Sequence, residues 1–556
     1  MTRPAKVSTV TPIAAALEID DANAIDWSDS ADVVVVGWGA AGACAAIEAR
    51  ATGASVLVID RFAGGGASTL SGGVVYAGGG TPYQKQAGFN DTPEAMADYL
   101  RHEVNGVVSD ATLKKFCDDS VANLAWLEMH GARFGATMPD YKTSYPPEGK
   151  FLYYSGNEVV PAYQGDKGAP APRGHRAIAK GQSGATLYAA LQAATLRAGA
   201  QPLTQAAVRR LVRLNGAVIG VEVWQLPPGD PATLKHAQLS REVERWRTFR
   251  PGKSAAFRRE AAQIEQAKAQ PRFIRARHGV VLSTGGFMYN PEMIQEHAPH
   301  TRRGWPIGGA GCDGSAVRLG ATVGAVSKEL SNVSAWRFIT PPAVWPKGVV
   351  VNSQGERFAN EQLYGAALGY ELVDRQGGKG WLIIDGKLRS QAIRQCLLGR
   401  IWAFQSLPAL AMMLLSAKKA ATPEALAARI QANPAKLRAS IERASAAARG
   451  EREDAFGKSP DMRHDLSRGP FYAIDISIGS PTFPLAVLTL GGLVVNEENG
   501  QVLDAAGQPI AGLFAAGRAA IGLPSSRYIS GLSLADCVFS GRRAGRAASH
   551  STDKGN

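Results

Sequence analysis

Near the end of the chain, Tyr528 and Ser530 stand two residues apart in SSRYISGLSLADC, just ahead of Gly531 and a run with helical spacing. A phenol and an alcohol at the mouth of a helix can donate to an oxyanion or carry a proton. The plainer alternative makes Tyr528 a structural tyrosine and Ser530 a helix N-cap. Near the start, Gly37-Trp38-Gly39-Ala40-Ala41-Gly42 offers different chemistry. The backbone amides of such a run, opening a helix, can cradle a pyrophosphate. Asp60, eighteen positions after Gly42, can take a ribose hydroxyl.

The surrounding pattern supplies the elements these residues need. DVVVV (32–36) is a β-branched run suited to a strand buried on both faces. The Ala-rich ACAAIEARATG follows as a helix, and SVLVID is a second strand ending at Asp60. This βαβ unit predicts a dinucleotide site. Three distant segments extend it. GGGASTLSGG (64–73), with Ser68, Thr69, Ser71, Gly72 and Gly73, reads as a loop able to wrap a ribitol and a flavin. VVLSTGGF (280–287), with Thr284 and Gly285, and IAGLFAAGRAA (510–520), with Gly517 and Arg518, are strands running into glycine turns. A simple NAD domain has no use for such returns, so the pattern predicts FAD.

The ordered motifs GWGAAG, GGGASTLSGG, STGGF, GERFANE, RGPFYA, LTLGGLVV and GLFAAGR together resemble the fumarate reductase/3-ketosteroid dehydrogenase flavoprotein superfamily. The likeness spans most of residues 30–550. It implies an α/β protein: a discontinuous Rossmann-like FAD-binding domain (30–318 and 478–551) with an inserted α+β catalytic domain (319–477). It also implies non-covalent FAD. Some relatives attach flavin through a histidine in the first glycine loop, which here offers Ala67, Ser68 and Thr69. Besides the residues already named, the implied FAD contacts include Arg61, Ala207, Val208, Asp313, Ser533 and Leu534.

The branches of the superfamily differ in what their substrates demand. Dicarboxylate enzymes resemble His-x-Thr-x-Gly-Gly, but Val487 stands where that histidine belongs. Arg302, Arg303 and Arg357 are expected to have surface or structural roles instead. A ketosteroid is uncharged and rigid, so its site needs apolar walls and hydroxyls, with donors aimed at a developing enolate. Tyr364, in ERFANEQLYG, matches the tyrosine that resembles the general base of this branch. Tyr528 matches the tyrosine that contacts the 3-keto oxygen. Tyr528-Ile529-Ser530-Gly531 departs from the Tyr-Pro-Gly-x-Gly of Δ1-dehydrogenases and resembles 3-ketosteroid Δ4-dehydrogenases, which form the C4–C5 double bond. The resemblance therefore implies an FAD-dependent 3-oxosteroid dehydrogenase, Δ4 ahead of Δ1, with a fumarate-reductase-like dicarboxylate or enoate reductase as the rival. Its partners would be a 3-ketosteroid and a quinone-like or dye-like electron acceptor. Tyr141 and Tyr145 compete for the place of an auxiliary tyrosine. Trp402 and Phe404 are candidates for an apolar pocket wall and read first as core, and Arg518 stands where relatives carry a polar or acidic contact.

Composition sets the outer bounds. A chain of 556 residues with 45% hydrophobic and 20% charged content is an ordinary globular sequence long enough for two domains. Cys44, Cys117, Cys312, Cys396 and Cys537 are scattered without a Cys-x-x-Cys pair, so neither a disulfide framework nor a metal site is expected, and a reducing cytoplasm fits. Residues 1–30 lack the apolar centre of a leader, and the apolar stretch 401–415 is broken by Gln405, Ser406 and Pro408. That stretch is expected to be a buried or lid helix. The net charge is +13, and residues 235–278 carry twelve Lys/Arg against four Glu. They fall in an expected helical insertion, 228–278, read first as solvated and peripheral to the chemistry, and second as a membrane-surface patch. No nucleic-acid-binding module accompanies this charge.

Overall fold

The β-branched run forms the buried centre of a nine-stranded sheet, with Val33, Val34 and Val35 fully buried. The computed structural model describes residues 7–164, 169–247, 250–399 and 401–550. In chain order the strands are β1 (Leu17–Ile19), β2 (Trp27–Val36), β3 (Val56–Ile59), β4 (Gln201–Leu203), β5 (Ala206–Leu214), β6 (Ala217–Gln225), β7 (Gln270–Leu282), β8 (Gln501–Leu503) and β9 (Pro509–Ala515). They lie in the order β1-β5-β6-β7-β2-β3-β4, with β9 on the C-terminal part of β7 and β8 beside β9. The strands β9, β7, β2, β3 and β4 are mutually parallel, while β6 is antiparallel to β5 and β7. Parallel strands of this kind carry ligands at their carboxyl ends, which here are the turns after Val36, Ile59, Leu282 and Ala515.

Six helices position the site: α1 (Ala40–Ala51), α2 (Pro231–Trp246), α3 (Pro251–Lys268), α4 (Gly386–Leu398), α5 (Ala403–Ala411) and α6 (Leu532–His550). The small residues of α1 let α6 lie directly on it. A Cβ at Gly541 would meet the Ala41 carbonyl oxygen at 2.5 Å, and one at Gly545 would meet that of Ala45 at 2.1 Å. This close packing brings the last helix of the chain beside the first glycine turn.

After β7 the chain leaves the sheet and builds a second core from residues between Phe287 and Val487. That core surrounds a four-stranded antiparallel sheet in the order Val349–Asn352, Gly380–Asp385, Phe471–Asp475, Lys418–Ala420. The protein is thus an α/β structure in which a discontinuous Rossmann-like FAD-binding domain carries an inserted α+β domain. One expectation is corrected: residues 270–278 belong to β7 rather than to the helical insertion. Of the two roles expected for 401–415, full burial does not hold, because Phe404, Leu407, Leu414 and Leu415 are exposed. Among the described residues no helix is long and apolar enough to cross a membrane.

Candidate active site

One cavity of about 1440 Å³ runs from the first glycine turn to the loop before α6. A single small-molecule site occupies roughly 300–1,000 Å³, so this volume has room for a dinucleotide and a second ligand together. At the sheet end it is lined by Gly37, Gly39, Ala41, Asp60, Arg61, Ser68, Thr69, Ser71, Gly72, Ala207, Val208, Thr284, Gly285, Arg518, Ser533 and Leu534. Gly42, Gly73, Asp313 and Gly517 stand behind this wall. Gly42 lies where a Cβ would strike the Gly37 carbonyl oxygen at 1.9 Å, and a Cβ at Gly73 would meet the Ser183 backbone at 2.4 Å. Asp313 Oδ2 accepts from the Thr11 amide, the Thr11 hydroxyl and Arg61 at 2.7, 2.6 and 3.0 Å, which ties the N-terminal segment to the sheet. The Gly517 amide donates to Ser540 Oγ at 2.9 Å.

The glycine turn shows why its sequence is restricted. Gly37 has φ +101, and a Cβ there would meet the Ser283 carbonyl oxygen at 2.7 Å. Asp60 accepts from the Trp38 and Phe62 amides at 2.9 and 2.8 Å, holding the loop in shape while still facing the cavity. Arg518 is buried, and its Nη1 has no hydrogen-bond partner among the described residues. An unpaired buried guanidinium nitrogen is costly unless an acceptor meets it. A glycine cradle, an acid and a waiting cation fit FAD.

The helices α2 and α3 correct the expectation of a peripheral insertion. They form a hairpin whose Ala237, Ser240, Arg241, Glu244, Arg247 and Pro251 line the same cavity. Its inner face buries Thr233, His236, Leu239 and Val243. His236 stacks on Phe62 at 5.7 Å, and its Nε2 lies 2.9 Å from Glu265 Oε1. Glu265 in turn accepts from Arg61 Nη2 at 2.8 Å. The carboxylate feels burial, which would raise its pKa, but the Arg61 charge wins and holds it down at about 2.

At the far end of the cavity three tyrosines and one serine gather from three separate segments. Tyr528 stacks on Trp336 with ring centroids 4.8 Å apart. Asn332 Nδ2 donates to the Ser525 and Ser526 carbonyls, both at 2.6 Å, and anchors the loop that carries Tyr528 and Ser530. Tyr364 comes from the inserted domain, just ahead of the short helix Gly365–Tyr370. Its amide donates to Asn157 Oδ1 at 2.6 Å, and its ring meets Phe338 at 5.4 Å. The Ser530 hydroxyl lies 3.0 Å from that of Tyr153. Burial pushes the Tyr528 phenol up to about 12. Ionising it at pH 7 would cost about 7 kcal/mol, so Tyr528 keeps its proton and can donate. Burial raises Tyr153 and Tyr364 as well, with Ser530 pulling both back.

The wall around these hydroxyls is apolar, with Trp336, Phe338, Phe404, Leu407, Met412, Phe483 and Leu488. Among the described lining residues the charged ones are Asp60, Arg61, Arg241, Glu244, Arg247 and Arg518. All of them line the nucleotide end, and Arg518 alone also acts on the Tyr528 phenol. Val487 is fully buried and points away from the cavity, where a Cβ at Gly304 would touch it at 2.4 Å. Arg357 is bound to Glu361 and Asp454 at 2.8 and 2.7 Å. Arg302, Arg303 and Arg357 are all absent from the wall, so the set that would neutralise two carboxylates is missing there.

A family model described as "FAD binding domain" matches residues 32–533. The chain belongs to this FAD-binding flavoprotein family. It is 54% identical over 525 residues to 3-oxo-5-alpha-steroid 4-dehydrogenase of Comamonas testosteroni, covering 92% of this chain and 97% of that one. Its fold is similar to that of 3-ketosteroid-Δ4-(5α)-dehydrogenase of Rhodococcus jostii, solved in complex with 4-androstene-3,17-dione, with a TM-score of 0.80 at 28% identity over 97% of this chain and all of that one. It is also 27% identical to 3-oxosteroid 1-dehydrogenase of Mycobacterium tuberculosis, over 65% of this chain and 69% of that one.

Of the two candidate auxiliary tyrosines, Tyr145, not Tyr141, lines the cavity, and its hydroxyl donates to the Gly72 carbonyl at 2.9 Å. Tyr153 has no signal in the sequence, because the aromatic run FLYYSG carries no motif. A Cβ at Gly174 would meet its ring at 2.8 Å, so a glycine on the neighbouring strand makes its place. Phe404, expected as core, is 47% exposed at the cavity mouth. The hairpin contacts were hidden because their side chains come from a charge-rich segment without glycine motifs.

Proposed function

We propose that this flavoprotein is a 3-oxosteroid 4-dehydrogenase, removing a proton from C4 and a hydride from C5 of a saturated 3-ketosteroid. The observation that carries this reading is the convergence of Tyr528, Ser530 and Tyr364 in an apolar end of the cavity whose one nearby charge is Arg518. An uncharged ketone suits that end, whereas a dicarboxylate would be left without counter-charges. The similarity to the Comamonas and Rhodococcus enzymes supports the same substrate class.

FAD, when bound, supplies the hydride acceptor. Gly37, Gly39 and the start of α1 would hold its pyrophosphate, Asp60 its ribose, and Thr284, Gly285, Arg518 and the first turn of α6 at Ser533 and Leu534 its far half. The positive end of α6 favours negative charge there. The wall residues available for attachment do not include histidine, in keeping with non-covalent FAD. Tyr528 donates to the 3-keto oxygen and steadies the enolate as the C4 proton leaves. Tyr364 is the leading base; burial keeps its phenol protonated at rest, so it takes the C4 proton as its own passes to Ser530, whose hydroxyl lies 3.0 Å from that of Tyr153, and on to water. The division into 30–318 with 478–551 and 319–477 belongs to this proposal, as do a quinone-like electron acceptor and a cytoplasmic location at the membrane surface.

The test is product analysis. The FAD-loaded enzyme, given a 5α-3-ketosteroid and an acceptor dye, should yield the 4-ene product. A product unsaturated at C1–C2, or no turnover alongside reoxidation of reduced flavin by fumarate, would overturn the assignment.

A further inference from the structure

The strongest unexplained surface lies beside the cavity mouth, on α4, α5 and the wide turn Met412–Ser416 that follows α5. Leu397, Leu398, Leu414 and Leu415 are 65, 75, 57 and 84% exposed. With Phe404 and Leu407 they make six of the ten exposed large apolar side chains among the described residues, all within nineteen positions. Single exposed leucines need no explanation, but a cluster of this kind marks an interaction site. The elements form one face: α4 packs on α5, and Arg389 donates to the Met413 carbonyl at 3.2 Å.

Charge indicates the partner. Residues 386–420 contain no Asp or Glu, while Lys387, Arg394, Lys418 and Lys419 are exposed around the leucines. Apolar side chains beside exposed cations suit a bilayer with anionic headgroups, where leucines enter the acyl boundary and lysines meet phosphate. A soluble partner or a second copy of the chain would need its own acidic rim to match. The hairpin of α2 and α3, the most basic segment of the sequence, is a poorer candidate: its inner face is used on the cavity, and among its described large apolar residues only Leu234 is exposed.

We propose that this face docks on an anionic lipid bilayer, with the cavity mouth against the membrane. Phe404 and Leu407 belong to both the patch and the cavity wall, so the entrance opens at the docked face. This deepens the steroid reading, since an apolar substrate partitioned in the bilayer would enter without crossing water. The docking itself does not depend on which ligand enters.

The experiment is co-sedimentation of the FAD-loaded enzyme, without steroid, with phosphatidylcholine vesicles containing or lacking phosphatidylglycerol. The wild type should bind the anionic vesicles in a salt-sensitive way and the neutral ones at least tenfold less. Leu414→Ser with Leu415→Ser should lower binding at least tenfold. Lys418→Glu with Lys419→Glu should do the same, since each lysine near an anionic surface is worth about a factor of five. Flavin content and Tm should remain at wild-type values. Arg245→Ala with Arg259→Ala, on the hairpin, should bind like the wild type. Failure of the wild type to bind, undiminished binding by both patch variants, or a light-scattering dimer dissolved by the patch substitutions without any vesicle binding would each overturn the proposal. Turnover of a detergent-solubilised steroid by the patch variants separates this outcome from failure of the steroid reading.

Discussion

The two ends of the cavity are built on opposite principles. At the nucleotide end the backbone does the recognition, through glycines at positions where a Cβ would collide with a neighbouring strand, and charges stand close by. At the hydroxyl end side chains do it, delivered from three segments more than a hundred residues apart into an apolar chamber. The contrast follows from what each end meets. A pyrophosphate needs amides and positive charge in a fixed concave turn, so local sequence suffices. An enolate on an uncharged ring needs a few donors in low-dielectric surroundings, where each one counts for more.

The sharpest way to break the backbone end is Gly37→Ala. Its φ of +101 and the Ser283 carbonyl oxygen 2.7 Å from an added Cβ together imply strain of about 3–5 kcal/mol. The purified variant should carry less than about a tenth of the wild-type FAD, read from the ratio of flavin to protein absorbance. The hydroxyl cluster, tested by anaerobic addition of FAD in excess, should still be intact.

A second test sits at the edge of the nucleotide end. Glu265 is held at about 2 by Arg61, against burial, so its folded-state pKa lies below its unfolded value near 4.3. The pair therefore stabilises the fold above pH 4.3, and that contribution fades as pH falls from there towards 2. Glu265→Gln should destabilise the protein by up to about 3 kcal/mol at pH 7, seen as a lower Tm and weaker FAD retention. The gap between variant and wild type should narrow in acid. An equal gap at pH 7 and pH 3 would show that the ion pair is not its source.

The smallest of these effects belongs to the other end. Tyr153 does not line the cavity but lies 3.0 Å from the Ser530 hydroxyl, so it is a positioning residue. Tyr153→Phe removes one neutral hydrogen bond, worth about 1 kcal/mol, and should slow kcat about fivefold with KM and FAD content unchanged. A larger loss accompanied by a raised KM would mean that Tyr153 touches the substrate directly.

The same contrast explains what the sequence could disclose. DVVVV, the glycine turn and Asp60 were legible because strand burial, positive φ and an acid at fixed spacing all leave marks within thirty residues. Arg61 and Asp313 were legible as FAD contacts that the resemblance implies but not as partners of Glu265 and of each other, since ion pairs across 204 and 252 residues have no local signature. Tyr528 and Ser530 stood out through their place before a helix, and Tyr364 through the motif ahead of it. Tyr153 stayed hidden because nothing near it in sequence announces Ser530, which arrives 377 residues later. The hairpin was misjudged as solvated: its positive charge was counted, while the helical spacing of Thr233, His236, Leu239 and Val243, which predicts a buried face, was not.

The account stands or falls on the hydroxyl end acting as a chemical unit. Anaerobic stopped-flow reduction of the bound flavin by a 5α-3-ketosteroid, followed by its absorbance, tests this directly in Tyr528→Phe, Ser530→Ala and Tyr364→Phe. Loss of one oxyanion donor costs about 2.7–4 kcal/mol, so Tyr528→Phe should reduce its flavin roughly 10²–10³ times more slowly than the wild type. Ser530→Ala should also be slowed, and Tyr364→Phe at least as much as Tyr528→Phe, with FAD content unchanged in all three. Reduction at the wild-type rate in all three FAD-loaded variants would show that these hydroxyls serve packing alone.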